Sequence, residues 1–252
     1  MKKILLFCFT IYVWAYTCFS FFAHYLLFSC TRFFVKDKRS WSFFLTKLFV
    51  VPAFKVLAFP LHVHGLENVY TEKNFIVASN HQSLLDIIVF MATLRRPFSF
   101  FAKEELLKVP VLGSDIRNQG HFVVDRKNPR RAVKQMMDAR KKMEGGYSLL
   151  IFPEGTRSID DTIAPFKRGA FLLASQTGTP IIPTYLTGTG RAMNKKRFLA
   201  SPSRIDLYFG DPIAVQKSES KADQKKTAEI TLERVRASML KLKALHEKAN
   251  LS

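Results

Sequence analysis

Apolar residues are spaced differently in two parts of this chain, and the change of spacing divides it. Ile4 through Thr31 is a run of 28 residues without Lys, Arg, Asp or Glu, dense in Phe, Leu, Tyr and Trp. That exceeds the roughly 20 residues a helix needs to cross a hydrocarbon core. A second apolar stretch, Trp41 to Phe59, is interrupted only by Lys47 and Lys55, side chains able to snorkel. Together they predict a membrane-embedded helical segment over residues 1–60: a spanning helix followed by an interfacial one, or a re-entrant hairpin. Residues 36–40 form its hinge. Lys2 and Lys3 before the run also suit a secretory leader, but the run is long for one.

From Leu61 onward the pattern becomes that of an ordinary water-facing domain, predicted over residues 61–252. Short β-rich runs occur at Asn74–Ser79, Phe98–Ala102, Phe122–Val124, Tyr147–Phe152, Ile181–Leu186 and Ile205–Phe209. Between them lie helical patterns. One opens at Asn128-Pro129, with an N-cap residue and a proline at the first helical position. Others cover Phe166–Gln176 and, at the end, Lys221–Ala249. Alternation of this kind predicts one α/β domain with a mostly parallel or mixed sheet and a C-terminal helix. Pro183 inside the Ile181 run predicts an edge strand or a bulge.

Charge narrows the class of partner. The chain of 252 residues carries 39 Lys and Arg against 20 Asp and Glu, a formal net charge of +19. Beside a membrane segment, that balance favours anionic headgroups. No zinc-finger, GXXG or RNP-like pattern supports nucleic acid. The three cysteines, Cys8, Cys18 and Cys30, all fall in the apolar run, so no thiolate metal site is expected in the α/β part.

Chemistry concentrates at strand exits. His81-Gln82-Ser83-Leu84-Leu85-Asp86 follows the Phe75–Ala78 strand, where ligands of open α/β sheets bind. If His81 precedes the helix and Asp86 lies in its first turn, the carboxylate can fold back to one imidazole nitrogen, fix the tautomer and raise the basicity of the other. The same residues also read as a capping box, Ser83-x-x-Asp86. Phe152-Pro153-Glu154-Gly155-Thr156-Arg157 leaves another strand and brings the planar fork of Arg157 and the Thr156 hydroxyl toward a phosphate or carboxylate. Glu154 there orients Arg157 or a backbone turn. Gly120 through Arg126 carries a short strand to a cation, and Ile181-Ile182-Pro183 reads as a wall.

In order and spacing, these four segments resemble the motifs of the glycerophospholipid acyltransferase family, closest to bacterial 1-acylglycerol-3-phosphate acyltransferases. The resemblance spans about Leu61 to Gly210. It implies transfer of a fatty acyl group from acyl-CoA or acyl-carrier protein to the sn-2 hydroxyl of lysophosphatidate, forming phosphatidate at the cytoplasmic face of a bacterial inner membrane. Within that pattern His81 is the base and Asp86 its partner. Glu154, Gly155, Thr156 and Arg157 hold the acceptor phosphate, with Arg126 and Lys103 assisting. Gly120, Phe122 and Pro183 line the pocket. Lys167-Arg168-Gly169 matches a further Phe-Lys-x-Gly pattern, whereas Asp160-Asp161 departs from the glycine of many relatives. No metal or organic cofactor is implied beyond the acyl co-substrate.

Two other readings remain at this point. One keeps the fold and changes the acceptor to glycerol-3-phosphate or another lysophospholipid. The other is a noncatalytic membrane protein whose basic face gathers anionic lipid.

Overall fold

The structure is a computed structural model. It describes residues 2–109, 111–124, 129–158, 162–193 and 199–249, the side chains of 124 and 129–133 excepted. In chain order the elements are α1 (Lys2–Thr31), α2 (Lys38–Val56), β1 (Leu61–His64), β2 (Ile76–Ser79), α3 (Leu85–Thr93), β3 (Phe98–Lys103), α4 (Leu112–Asn118), β4 (Phe122–Val124), α5 (Pro129–Glu144), β5 (Ser148–Ile151), α6 (Gly169–Thr177), β6 (Ile181–Thr187), α7 (Thr189–Ala192), β7 (Ile205–Phe209) and α8 (Lys221–Ala249).

The strands form one seven-stranded sheet in the order β1-β7-β6-β2-β5-β3-β4. Every neighbouring pair is parallel except β6 and β7, so the sheet is mixed, as the alternating pattern predicts. Strand β2 is central, between β5 and β6, and all four of its residues are buried. Its alternation serves two cores, because successive side chains leave opposite faces. Val77, Leu150, Ile182 and Phe100 pack on the face covered by α1, α2 and α3. Ile76, Leu149, Ile181 and Tyr185 pack on the face covered by α6 and α8. Strand β1 has no counterpart among the expected runs; its alternating half-burial and two histidines disguise it, and it pairs in parallel with β7.

Pro183 corrects an expectation. It lies not at an edge but inside the sheet, opposite Ala78 of β2. The missing N–H is tolerated because β7 ends at Phe209, beside it. The Pro183 carbonyl still accepts from the Gly210 N–H at 2.8 Å, and pairing resumes only at Ile181 and Ile213. The ladder on that side is therefore interrupted, which is the bulge alternative in an interior strand.

Helix α1 is the one helix among the described residues long and apolar enough to cross a membrane. Phe7, Phe19 and Phe22 on it, and Phe33 and Phe34 in the turn that follows, are exposed. Asp37 caps α2 by accepting from the Arg39 and Ser40 N–H groups. Lys47 does not snorkel outward. Its ammonium donates to the Ala92 and Leu94 carbonyls at 3.0 and 2.7 Å, at the carboxyl end of α3. A cation there meets the unsatisfied carbonyls and the negative end of the helix dipole, so it ties α2 to the α/β layer.

Candidate active site

Strand β2 delivers the chain into a loop that is held from both sides. Asn80, fully buried, donates to the Leu186 carbonyl at 2.7 Å and accepts from the Leu186 N–H at 2.8 Å. This side chain extends the β2–β6 ladder by one rung and fixes where His81 begins. The segment after β5 grips the other side. The His81 N–H donates to Glu154 Oε1 at 3.2 Å, and its carbonyl accepts from the Ser158 N–H at 2.8 Å. Phe152 stacks on the imidazole with ring centroids 4.0 Å apart.

His81 Nδ1 lies 2.7 Å from Asp86 Oδ2. The same oxygen accepts from the Gln82 and Ser83 N–H groups at 2.7 and 3.1 Å. Asp86 is fully buried, and its Oδ1 has no hydrogen-bond partner. A carboxylate only accepts, so Nδ1 carries a hydrogen, and in the neutral ring Nε2 then keeps the lone pair. The imidazole is 17% exposed. Capping and orientation coexist here. Helix α3 starts at Leu85, Ser83 Oγ accepts from the Leu85 N–H at 3.2 Å, and the Asp86 carboxylate returns to the Ser83 N–H as the far half of a capping box does. Ser83 Oγ also donates to the Met193 carbonyl at 3.1 Å, so it is occupied and not poised as a nucleophile.

Glu154 serves the turn rather than presenting itself to an anion. Its second oxygen accepts from the Ala164 N–H at 3.1 Å. Burial pushes its carboxyl above the usual range, and the Asp86 carboxylate adds to the rise; the two backbone donors and His81 oppose it. With both oxygens facing N–H donors, Glu154→Gln sets an amide NH2 against one of them. An unpaired buried group of this kind costs about 1–3 kcal/mol, so the thermal midpoint should fall by roughly 3–8 °C in a circular-dichroism melt. An unchanged midpoint would mean that this clamp contributes nothing.

Gly155 follows with φ +72°, and a Cβ there would meet the Lys167 side chain, its Nζ at 2.7 Å. The missing side chain lets Lys167 lie across the turn. Thr156 is exposed and Arg157 partly so, which sets hydroxyl, guanidinium and ammonium groups around one loop beside His81. Arg126 and the Asp160-Asp161 pair lie outside the described residues. Lys103 ends β3, exposed and paired with Glu105 at 3.0 Å.

Gly120, Phe122 and Pro183, the three expected pocket residues, do not line the cavity on the near face of the sheet. The Gly120 carbonyl accepts from Ser99 Oγ and Lys142 Nζ at 3.0 and 3.2 Å, at the start of β4. Phe122 packs on Phe101 in the core of the opposite face. Pro183 points to the α8 side, where Gly210 separates it from Ser238. Period-two alternation sends Phe122 to the far face and His121 to the near one.

On the near face, α1, α2, α3 and α4 enclose a cavity of about 360 Å³. Its wall includes Leu84 and Leu85, between His81 and Asp86 in sequence, with Met91, Phe54, Phe100 and Leu106. Among the described residues, no group of three or more His, Cys, Asp or Glu is placed to hold a metal ion.

At the exit of the central strand of this mixed sheet, a partly buried His81 meets a fully buried Asp86 beside a cationic loop, and an apolar cavity lies on the near face. A model described as Acyltransferase matches residues 60–187, half of the chain, and the chain belongs to that family. It is 34% identical over 164 residues to a chloroplastic 1-acyl-sn-glycerol-3-phosphate acyltransferase of Brassica napus, covering 64% of this chain and 46% of that one. It is 33% identical over 155 residues to the Borreliella burgdorferi 1-acyl-sn-glycerol-3-phosphate acyltransferase, with 62% of each covered. The chain thus spans about half the length of the first curated relatives it matches. The crystal structure of the 1-acyl-sn-glycerophosphate (LPA) acyltransferase of Thermotoga maritima superimposes with a TM-score of 0.76 at 29% identity, over 97% of this chain and 98% of that one.

Proposed function

We propose that this protein transfers a fatty acyl group from acyl-CoA or acyl-carrier protein to the sn-2 hydroxyl of 1-acyl-sn-glycerol-3-phosphate, forming phosphatidate. The observation that carries the reading is the 2.7 Å bond from His81 Nδ1 to a buried Asp86, which leaves Nε2 of the neutral ring as the basic nitrogen. Transfer is direct. Nε2 takes the hydroxyl proton as the oxygen attacks the thioester carbonyl; the tetrahedral adduct collapses, and the departing thiolate receives the proton from the imidazolium. Asp86 steadies that imidazolium. The acyl chain lies in the cavity, and Arg157, with Thr156, Gly155 and Lys167, meets the acceptor phosphate. Arg126 and Lys103 assist there.

Residues 1–60 form the membrane-embedded segment and 61–252 the catalytic part, with the active site at the cytoplasmic face. The exposed aromatic side chains of α1 and its following turn support the membrane embedding, and the cytoplasmic side follows from where acyl-CoA and acyl-carrier protein are found. An interfacial site need not extract acceptor and product, both amphiphiles, fully into water.

Arg157→Ala tests the acceptor assignment. Loss of a charge-assisted bond to phosphate is worth about 1.5–3 kcal/mol, so kcat/KM for lysophosphatidate should fall roughly 10- to 100-fold. Transfer to an uncharged monoacylglycerol should be nearly unaffected. Equal losses with both acceptors, measured on purified protein with labelled acyl donor, would remove Arg157 from the phosphate site.

A further inference from the structure

Thr10 is buried at the place where α1 meets the segment between β6 and β7, while Phe7 and Ile11 beside it are exposed. Its hydroxyl donates to the Leu6 carbonyl of its own helix at 2.8 Å, the usual local solution for a threonine in a helix. The same oxygen accepts from the Ala200 N–H at 3.2 Å, and the Ala200 carbonyl stands 3.4 Å away. Ala200 is fully buried, and Thr10 is the partner of its N–H.

Ala200 is also paired with Met193 in an antiparallel bridge, next to a bond of 2.9 Å from the Ser201 N–H to the Ala192 carbonyl. In a pair of this wide kind the backbone groups of Ala200 face away from Met193, here toward α1. Met193 closes α7, and its carbonyl accepts from Ser83 Oγ at 3.1 Å. Ser83 in turn gives its N–H to Asp86 Oδ2 at 3.1 Å, the oxygen that holds His81 at 2.7 Å. Helix α7 bears on the same loop at Gln82, whose Oε1 accepts from the Gly190 N–H at 3.4 Å; a Cβ on Gly190 would stand 3.3 Å from Gln82 Cβ. A continuous series of bonds thus joins α1 to the base. Seating α1 does not need this hydroxyl, because Tyr16 and His24 already tie the helix to α2 through the Phe49 and Ser42 carbonyls at 2.8 and 3.2 Å.

We infer that Thr10 is a positioning residue for acyl transfer: through Ala200 and Met193 it holds the Ser83 turn, and with it the Asp86–His81 pair. Helix α1 is then part of the framework of the active site as well as its anchor. The inference rests on the acyl-transfer reading of the His81 loop. Spatial continuity alone does not establish coupling, so the link has to be cut at each end and the effects combined.

The test is hydrogen exchange followed by mass spectrometry on the purified full-length protein, with turnover measured on the same samples. Thr10→Val keeps the shape of the side chain and strands the Ala200 N–H. Peptides over residues 82–86 and 189–193 should exchange about tenfold faster, the scale of one unpaired buried group, while β5 and α8 exchange as before. The same loss should lower kcat roughly 3- to 10-fold and leave KM for donor and acceptor unchanged. Thr10→Ser should restore both. Unchanged exchange at 82–86 with unchanged kcat reduces Thr10 to a seat for α1 and overturns the inference. So does faster exchange spread equally over β5 and α8.

Ser83→Ala cuts the link at its other end, at Met193. It should speed exchange at 189–193, and Thr10→Val added to it should lower kcat little further. Unchanged exchange at 189–193 overturns the inference even if no variant of Thr10 folds, and so do effects on kcat that multiply in full. Exchange needs no turnover, which separates this inference from the catalytic reading. If the unaltered protein transfers no acyl group, that reading fails and the exchange pattern still decides the link. If it transfers and the pattern is missing, only the link is lost.

Discussion

Replacing His81 with alanine should lower acyl transfer about 100-fold or more while leaving the protein folded and membrane-bound. The argument is geometric. The ring is fixed through an Nδ1–Oδ2 bond of 2.7 Å to Asp86 and a stack on Phe152. Its backbone is held independently by Glu154 and Ser158, and those bonds do not depend on the side chain. The variant should therefore keep the loop and lose the base. Rates measured in membranes of matched protein content check this, with the thermal midpoint as control. A large fall in midpoint alongside the lost rate would move His81 from chemistry to structure.

Asp86→Asn should be nearly as severe, lowering kcat by about 10²–10⁴, the range seen when the carboxylate behind a catalytic imidazole is replaced. Asn is the informative substitution because of how the carboxylate is used. Oδ2 accepts from His81, Gln82 and Ser83, whereas Oδ1 has no partner. An Asn oxygen in the Oδ2 place keeps all three bonds, and the NH2 falls where nothing was bonded. The turn survives and the charge does not. Asp86→Ala instead strands two buried N–H groups, at about 1–3 kcal/mol each, and confounds rate with stability. Single-turnover rates with saturating donor, beside melts of both variants, separate the two effects. An Asn variant with near-normal turnover would assign Asp86 to capping alone.

The pairing of His81 with Asp86 was legible because both lie within one strand-to-helix turn, where local geometry decides. The capping reading and the base–orienter reading compete in the sequence, yet in the structure one carboxylate oxygen meets both the imidazole and the backbone N–H groups of the turn. Long-range partners were not legible in this way. Asn80 reads as an ordinary polar residue until β6 is placed beside β2, when its side chain becomes a rung to Leu186. His121 and Phe122 are adjacent, and which of them faces the cavity depends on strand register, which no local pattern determines. Pro183 suggested an edge or a bulge because a proline gives the ladder no donor. The structure instead ends the partner strand beside it.

The apolar N-terminus was read by length and composition, and α1 is long enough to span. Its attachment was not legible. Lys47, taken as a snorkelling lysine, seals the end of α3, and His24, buried in an otherwise apolar helix, reaches Asp115 on α4. Both contacts need the tertiary fold to bring residues far apart in sequence together. Burial pushes the Asp115 carboxyl above the usual range against the pull of His24, Gln119 and Ser42, so the tie between α1 and the sheet layer is a desolvated one.

The most direct measurement is phosphatidate formation by the purified protein in phospholipid vesicles, with labelled acyl-CoA or acyl-carrier protein as donor and lysophosphatidate as acceptor. The unaltered chain should place the label at the sn-2 position, and His81→Ala should form product about 100-fold more slowly or worse. Absence of transfer from either donor, or a His81→Ala variant that works at the unaltered rate, would contradict the account at its centre.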